Sequence, residues 1–206
     1  MATTIKKLRE AASHCKGCDL YKHATQTVFG EGSDHPEVVL VGEQPGNAED
    51  LAGRPFVGPA GRILDQVLTA AGFDRSDIYI TNAVKHFKNQ PLGKLRLHKR
   101  PNQEEVRACR PWFEAEIEVL QPDLVICLGA TAASLVLGKA VKIGEVHGQI
   151  RYWESDISLM VTYHPSAVLR QIDPVSRRRM FDQIRADLVS AREFIEKKVR
   201  AINRPA

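Results

Sequence analysis

The sequence predicts an α/β fold: a single three-layer αβα domain over residues 1–206, with a central, mostly parallel four-stranded sheet. Three observations support this fold class. Short β-branched runs alternate with amphipathic segments of helical period. The length of 206 residues suits one domain, and 43% apolar residues suffice for a core. We expect an N-terminal helix ending in Cys-X-X-Cys and a long C-terminal helix to complete the domain.

The strand and helix signals follow one another along the chain. Short apolar runs predict sheet strands at 37–41, 78–81, 123–128 and 158–163, with 150–153 as an edge strand. Helical spacing of apolar residues predicts helices at 4–14, 60–71, 102–120, 129–138 and 174–200. Asn102 followed by Glu105 is a capping-box pattern at the start of the third helix. Of the whole chain, only 201–206 look disordered.

Two long loops, 42–59 and 82–101, interrupt this pattern, and loops of that length within a compact domain are usually functional. In parallel α/β sheets, ligands bind beyond the carboxyl ends of the strands. Those ends carry Gly42, Thr81, Leu128 and Tyr163, each followed by polar or glycine-rich sequence. We therefore expect the functional site at this edge of the sheet.

Positive charge is concentrated in the second of these loops and the start of the next helix. The whole chain carries +4, whereas residues 85–110 alone hold eight Lys or Arg against two Glu, a net charge of +6. Such a patch suggests contact with a polyanion. The alternative is a solvated helix start, but 85–100 contains no acid to relieve the repulsion, which favours a phosphate partner.

The four cysteines form a spaced set: Cys15, Cys18, Cys109 and Cys127. Cys15 and Cys18 have the Cys-X-X-Cys spacing that lets two thiolates reach one metal, and four thiolates suit either zinc or a 4Fe–4S cluster. The N-terminus has no secretory signal and no run long enough to span a membrane, so disulfides are not expected. Alternatively, Cys127 is a small core residue of a strand.

A series of motifs resembles the iron–sulfur (family 4) uracil-DNA glycosylases and, within them, the UdgX-like branch. Each motif alone is weak, but their order along nearly the whole chain is specific. They are the Cys-X-X-Cys pair, Gly42–Gly46, Gly53–Gly61, Thr81–Lys88, Gly93–Lys99, Ala108–Trp112, Leu128–Ala132 and His164–Ser166. Three positions depart from the branch pattern: Leu95 and Leu97 stand where Arg and Ile are usual, and Asn47 stands where Asp is frequent.

This resemblance implies a cofactor, a partner and a location. The cofactor is a 4Fe–4S cluster held by all four cysteines, structural rather than catalytic. The partner is uracil-containing DNA, with single strands preferred, bound by a monomer that makes no membrane contact. The expected location is the bacterial cytoplasm, in association with the nucleoid when the enzyme acts.

The resemblance also implies which residues recognise and release uracil. The Asn82 carboxamide would pair with O4 and N3–H of a flipped base, while Phe56 would stack on it. Gly42 and Gln44 would complete the binding loop. Glu43 would stabilise the cationic sugar or polarise a water, and His164 would donate to O2 of the leaving base. Asp50 would support this loop.

His98 is the residue that separates the UdgX-like branch from the rest of the family. Its counterpart attacks C1′ of the cationic sugar, so the enzyme ends as a covalent DNA adduct. The physical alternative is a loop histidine beside phosphate. DNA contacts would come from the basic loop and from a wedge after His164, at Lys85, Lys94, Arg96, Lys99, Ser166, Val168, Leu169 and Arg170.

Two other functions stay open on sequence grounds. One is a conventional multi-turnover glycosylase of the same fold, in which Glu43 or a neighbouring group activates water. The other is a non-catalytic iron–sulfur protein that binds nucleic acid, which rests on the cysteines and the basic patch alone.

Overall fold

A computed structural model describes residues 3–154 and 156–202. The chain up to residue 120 contains α1 (Ile5–Ala12), β1 (Glu31–Gly32), β2 (Val38–Gly42), α2 (Asn47–Ala52), α3 (Pro59–Ala71), β3 (Tyr79–Asn82), β4 (Asn89–Leu92), β5 (Leu95–His98) and α4 (Gln103–Leu120). The remainder comprises β6 (Leu124–Leu128), α5 (Ala130–Leu137), α6 (Ile143–Val146), β7 (Ile150–Glu154), β8 (Ile157–Thr162), α7 (Ser166–Leu169) and α8 (Pro174–Ile202).

The main sheet has the strand order β1-β3-β2-β6-β8-β7. The four strands expected from the sequence, β2, β3, β6 and β8, are its parallel centre. Within residues 3–154 and 156–202 the sheet has six strands rather than four, because β1 and β7 add an antiparallel strand at either edge. The mostly parallel α/β architecture is therefore confirmed, as is the edge strand expected at 150–153.

Helices cover both faces of the sheet, and alternation along the strands explains why. Val39 and Val41 face the layer that contains α1, α4 and α5, whereas Val38 and Leu40 face α3 and α8. The central strands are buried on both sides, which is why they are continuous β-branched and apolar runs rather than alternating ones. Burying each such side chain contributes about 1.5–3 kcal/mol of transfer free energy.

The helix boundaries agree closely with the expected ones. Asn102 Oδ1 accepts from the Glu105 N–H at 2.8 Å, and Glu105 Oε2 accepts from the Asn102 N–H at 2.7 Å, so the capping box is confirmed. The C-terminal helix extends to Ile202, so residues 201 and 202 are helical rather than disordered. The other residues for which disorder was expected, 203–206, lie outside the described residues. No helix in the described part of the chain is long and apolar enough to cross a membrane.

Both long loops contain structure that the sequence pattern did not predict. The first holds α2, and the second holds the β4–β5 hairpin, whose two strands turn at Gly93 with φ +58°. The hairpin is mostly exposed and includes Pro91, so it lacks the alternation that marks a half-buried strand. It stands over the carboxyl edge of the sheet, where it helps to form the site.

Candidate active site

An open cavity of about 980 Å³ lies beyond the carboxyl ends of the parallel strands. Seven segments of the described chain line it: the loop after β2 with α2, the segment that leads into α3, the end of β3, the hairpin with the following turn, the end of β6 with the start of α5, α6, and the segment from β8 to α7. The strand register brings Gly42 beside Asn82, and Leu128 beside Thr162. The expected position of the site is thus the position of the cavity.

Asn82 contributes an unsatisfied acceptor to this cavity. Its side chain is only 2% exposed, yet Oδ1 has no hydrogen-bond partner among the described residues. A buried carboxamide oxygen without a partner costs about 1–3 kcal/mol, so such an atom in a cavity points to a ligand with an N–H group. The neighbouring backbone is tied down, because the Ala83 N–H donates to Gly42 O at 2.9 Å.

Gly42 is required by the close approach of two side chains. A Cβ at this position would lie 2.3 Å from Asn82 Oδ1 and 2.6 Å from Phe56 Cζ. Only glycine lets the carboxamide and the ring come together above the end of β2. The structure therefore places three of the four residues expected to bind the base in direct proximity.

Phe56 holds its ring against the cavity through a strained backbone. Its φ is +54°, a left-handed conformation that a bulky residue rarely adopts. Its carbonyl is packed so tightly on Gly61 that a Cβ there would lie 1.8 Å from the oxygen. The Phe56 and His164 ring centroids are 5.8 Å apart, with the planes inclined by 32°. The ring thus forms an apolar wall suited to a planar ligand.

Glu43 is a half-buried carboxylate of the cavity lining that has two partners. Thr131 Oγ1 donates to Glu43 Oε2 at 2.5 Å, and Arg100 Nε lies 3.8 Å from the same oxygen. Arg100 also donates to Thr131 Oγ1 at 3.1 Å. The carboxylate is therefore held in a fixed orientation, as a group that stabilises a transient cation needs to be.

His164 has a defined tautomer. Its Nδ1 accepts from the Ser166 N–H at 3.1 Å and lies 2.8 Å from Ser166 Oγ, which in turn accepts from Arg170 Nη1 at 2.7 Å. Since Nδ1 is an acceptor, Nε2 carries the proton. Burial, reinforced by Arg170 and His98, lowers the pKa of His164 to about 4. At neutral pH the ring is a neutral N–H donor in the cavity wall.

The expected pH behaviour of His164 follows from this environment. In the unfolded chain histidine titrates near 6.5, so between pH 6.5 and about 4 the unfolded state binds more protons. The contribution of His164 to stability is complete above pH 6.5 and is lost as pH falls towards 4. An NMR titration of its Cε1–H should give a midpoint near 4, and Arg170→Gln should raise it. A midpoint between 6 and 7 would contradict the assigned tautomer and burial.

Gln44 joins the hairpin to the loop after β2. Gln44 Oε1 accepts from the Lys88 N–H at 3.0 Å, and its Nε2 donates to Lys99 O at 2.8 Å, which together fix the orientation of the amide. The same Nε2 lies 2.9 Å from His98 Nε2. Since the amide nitrogen is a donor, His98 Nε2 is an unprotonated acceptor and its proton is on Nδ1. Gln44 therefore binds His98 and the hairpin, and it also lines the cavity.

Arg96 anchors the hairpin to α2, and its guanidinium points into the protein rather than to solvent. Its Nη1 donates to Asp50 Oδ2 at 2.6 Å and its Nε to Asn47 Oδ1 at 2.8 Å, and Asp50 is completely buried. The expectation that Arg96 contacts DNA is corrected, because its charge is used inside the protein. The supporting role expected for Asp50 is consistent with this contact. Lys94 and Lys99 lie exposed on the hairpin.

Two further residues expected to contact DNA are buried. The Lys85 side chain is 1% exposed and forms an ion pair with Glu116 at 2.6 Å, so it is not part of a basic surface. Val168, within α7, packs into the core, whereas the following Leu169 is 43% exposed at the cavity rim beside Arg170. Leu169, not Val168, is the apolar side chain available to fill space in a bound strand.

Three of the four cysteines lie in one region. Trp112 Nε1 donates to Cys15 Sγ at 3.2 Å, and the Lys85 N–H donates to Cys109 Sγ at 3.2 Å. Cys18 and Trp112 both pack against the small apolar cluster that contains Cys109. Burial raises the pKa of Cys18, and burial together with the Cys18 and Cys15 thiols raises the pKa of Cys109 to about 11. Within 3–154 and 156–202, however, no three His, Cys, Asp or Glu residues are grouped as a metal site.

Cys127 is separate from this region. It is fully buried in β6 within the core between the sheet and α4, in a cluster that contains no other cysteine of the described chain. Burial alone raises its pKa, with no contribution from the other thiols. The structure contradicts the expectation that Cys127 completes the set, and supports the alternative of a small core residue.

Sequence reasoning missed several residues that build the cavity. Thr131 and Arg100 hold Glu43, and Glu49 binds two loops, since its carboxylate accepts from the Gly46 N–H at 3.0 Å and the Gly58 N–H at 2.7 Å. The motifs Gly42–Gly46 and Leu128–Ala132 pointed to these loops, but no local pattern shows which side chains meet.

The chain is similar to proteins of one enzyme family. Residues 29–189 match the model described as the uracil DNA glycosylase superfamily. The chain is 38% identical over 190 residues to a type-4 uracil-DNA glycosylase of Thermotoga maritima, covering 92% of this chain and 93% of the relative. It is 40% identical over 174 residues to the type-4 enzyme of Pyrobaculum aerophilum, covering 81% and 85%, and 37% identical over 169 residues to that of Archaeoglobus fulgidus, covering 79% and 81%.

Proposed function

Because the chain belongs to the uracil-DNA glycosylase superfamily, we propose that it removes uracil from DNA and, as in the UdgX-like branch, captures the resulting sugar through His98. The main support for uracil recognition is the buried Asn82 Oδ1. This atom lies near the Phe56 ring and has no hydrogen-bond partner among the described residues. It fits the N3–H of a uracil that has left the stack, and the adjacent Nδ2 fits O4.

Cleavage requires the C1′–N1 bond to break with its electron pair leaving on the base. Negative charge then develops on uracil, including O2, and the neutral His164 Nε2–H is suited to donate to it. The sugar becomes cationic, and the Glu43 carboxylate, held by Thr131 and Arg100, supplies the compensating charge. The imidazole of His164 must be neutral here, because it then donates the Nε2–H to O2 without adding a positive charge that would repel the cationic sugar.

Capture then uses the lone pair of His98 Nε2. This atom is unprotonated and borders the same cavity. A bond from Nε2 to C1′ would leave the proton on Nδ1 and give an imidazolium, while the uracil anion takes a proton from water. The contact between Gln44 and His98 must break in this step. Until then, Gln44 orients the nucleophilic nitrogen and holds the hairpin in place.

Incubation with uracil-containing single-stranded DNA tests the proposal. A denaturing gel should show a shifted band that survives heat and SDS, formed once per enzyme molecule, whereas the same strand with thymine should give none. Free uracil accumulating over many turnovers without the band would support the conventional glycosylase, in which Glu43 polarises water. DNA binding without any base release would leave only the non-catalytic alternative.

The bound strand would cross the cavity between two exposed regions. Lys94, Lys99 and Arg100 lie on the hairpin side, and Leu169 with Arg170 on the other. This arrangement supports a proposal that the strand is held by phosphate contacts on both sides of the flipped nucleotide. Uracil in a single strand needs no duplex partner to be displaced, which favours single-stranded DNA.

We also propose that Cys15, Cys18 and Cys109 contribute thiolates to an iron–sulfur cluster. The residues fit in part: three soft donors share one region, and the fourth expected donor, Cys127, is elsewhere. A cluster bound there would tie the N-terminal segment to α4, and no catalytic step depends on it. Because burial raises the pKa of Cys109, iron binding would have to displace protons from these thiols.

Single cysteine substitutions should separate the four positions. Cys15→Ala, Cys18→Ala and Cys109→Ala should each lose most of the bound iron and the visible absorbance, whereas Cys127→Ala should keep both. Cys127→Ala serves as the matched control, since it removes a buried thiol of the same chemistry. Equal loss of iron from all four variants would restore Cys127 to the ligand set.

A further inference from the structure

Lys85 is a fully buried lysine whose three ammonium protons all have acceptors. Its Nζ lies 2.6 Å from Thr81 Oγ1, 2.9 Å from the backbone carbonyl of Asn82 and 2.6 Å from Glu116 Oε2. A buried ammonium is costly to desolvate, and complete hydrogen bonding is what makes this one tolerable. This buried ammonium lies in the turn after β3, next to the cavity residue Asn82.

Glu116 is the fixed point of this network. Besides Lys85, it accepts from Tyr79 Oη at 2.8 Å, from Thr81 Oγ1 at 3.0 Å and from the Gly30 N–H at 3.2 Å. Its carboxylate is completely buried on α4. The position of the Lys85 ammonium is therefore determined by α4 and by β3, not by solvent.

The contact with Asn82 is the one that reaches the cavity. Asn82 is the last residue of β3, and Lys85 Nζ binds its carbonyl from three residues further along the chain. This closes the turn over residues 82–85 and restricts the backbone dihedrals of Asn82. Those dihedrals set the direction of the Cα–Cβ bond, and hence where the unpartnered Oδ1 points.

The backbone of the same residue contacts the cysteine region. The Lys85 N–H donates to Cys109 Sγ, so this residue binds a proposed cluster ligand through its backbone and the carbonyl of the cavity residue Asn82 through its side chain. The turn is held from both sides, which restricts it further.

We propose that Lys85 is a positioning residue for uracil recognition: it acts through Asn82, by holding the carbonyl of that residue in the turn anchored to Glu116 and Cys109. The proposal rests on the proposed function. The competing view is that Lys85 merely neutralises Glu116, in which case any variant that restores charge balance should also restore the rate.

Two variants separate these views. Lys85→Met removes the Asn82 contact and leaves Glu116 without its counter-ion, so both melting temperature and rate should fall. The double variant Lys85→Met, Glu116→Gln removes the buried charges together. It should recover most of the melting temperature, while the single-turnover rate of uracil release stays about 10²-fold below wild type, as expected for a misplaced binding group.

A mutant cycle with Asn82→Ala measures the coupling between Lys85 and Asn82 in the rate of uracil release. A purely structural role of Lys85 would not produce such coupling. If Lys85 acts through Asn82, adding Asn82→Ala to the double variant should lower the rate by less than tenfold, although it is expected to cost the wild type about 10³-fold. Full recovery of the rate in the double variant, or independent losses in the cycle, would overturn the proposal. Absence of uracil release by the wild type would instead refute the proposed function.

Discussion

Replacing Asn82 by alanine should lower the single-turnover rate of uracil release by about 10³-fold while leaving the melting temperature nearly unchanged. The rate falls because the variant has no group to pair with the base edge, and sites built on such pairs discriminate by factors of this order or more. Stability is spared because Oδ1 has no partner in the folded protein, so its removal relieves a buried unsatisfied acceptor.

Asn89→Ala is a suitable control for this experiment. Asn89 also carries a carboxamide, but its Nδ2 donates to His23 O and Phe87 O, away from the cavity lining. The control should release uracil within a few-fold of the wild-type rate. An Asn82→Ala rate within tenfold of wild type would exclude Asn82 as the group that recognises the base.

Substituting His98 by serine should abolish the covalent band and convert the protein into an enzyme that turns over. The serine hydroxyl lacks the available imidazole lone pair, so the cationic sugar would be intercepted by water and the product released. The hairpin should stay in place in this variant, because Gln44 keeps its hydrogen bonds to the backbone of Lys88 and Lys99. Band formation on a denaturing gel and the number of uracils released per enzyme measure the two effects.

Lys94→Ser supplies the matched control for His98→Ser. Lys94 lies exposed in the turn of the same hairpin, and its loss should weaken DNA binding without affecting the adduct. A heat- and SDS-stable band that persists in His98→Ser would assign the nucleophile to another residue. Loss of the band in both variants would indicate that hairpin placement, rather than the imidazole, is limiting.

Much of the fold was predictable because its signals are local. The four parallel strands are short apolar runs, and Asn102 with Glu105 marks the start of α4 by chemistry confined to four residues. The β4–β5 hairpin was not predictable in this way, since its exposed leucines and Pro91 carry no alternation. Its position depends on the buried contact of Arg96 with Asp50, two residues 46 apart in the chain.

For the site, the sequence by itself determined which chemical groups are present and, through the strand ends, at which edge of the sheet they gather. Only the tertiary structure decided where each side chain points. Lys85 turns inward because Glu116 offers a buried partner, Val168 lies in the core while Leu169 is exposed, and Cys127 remains within the sheet. Burial and pairing are set by contacts between segments distant in sequence, so residue type and spacing alone do not contain them.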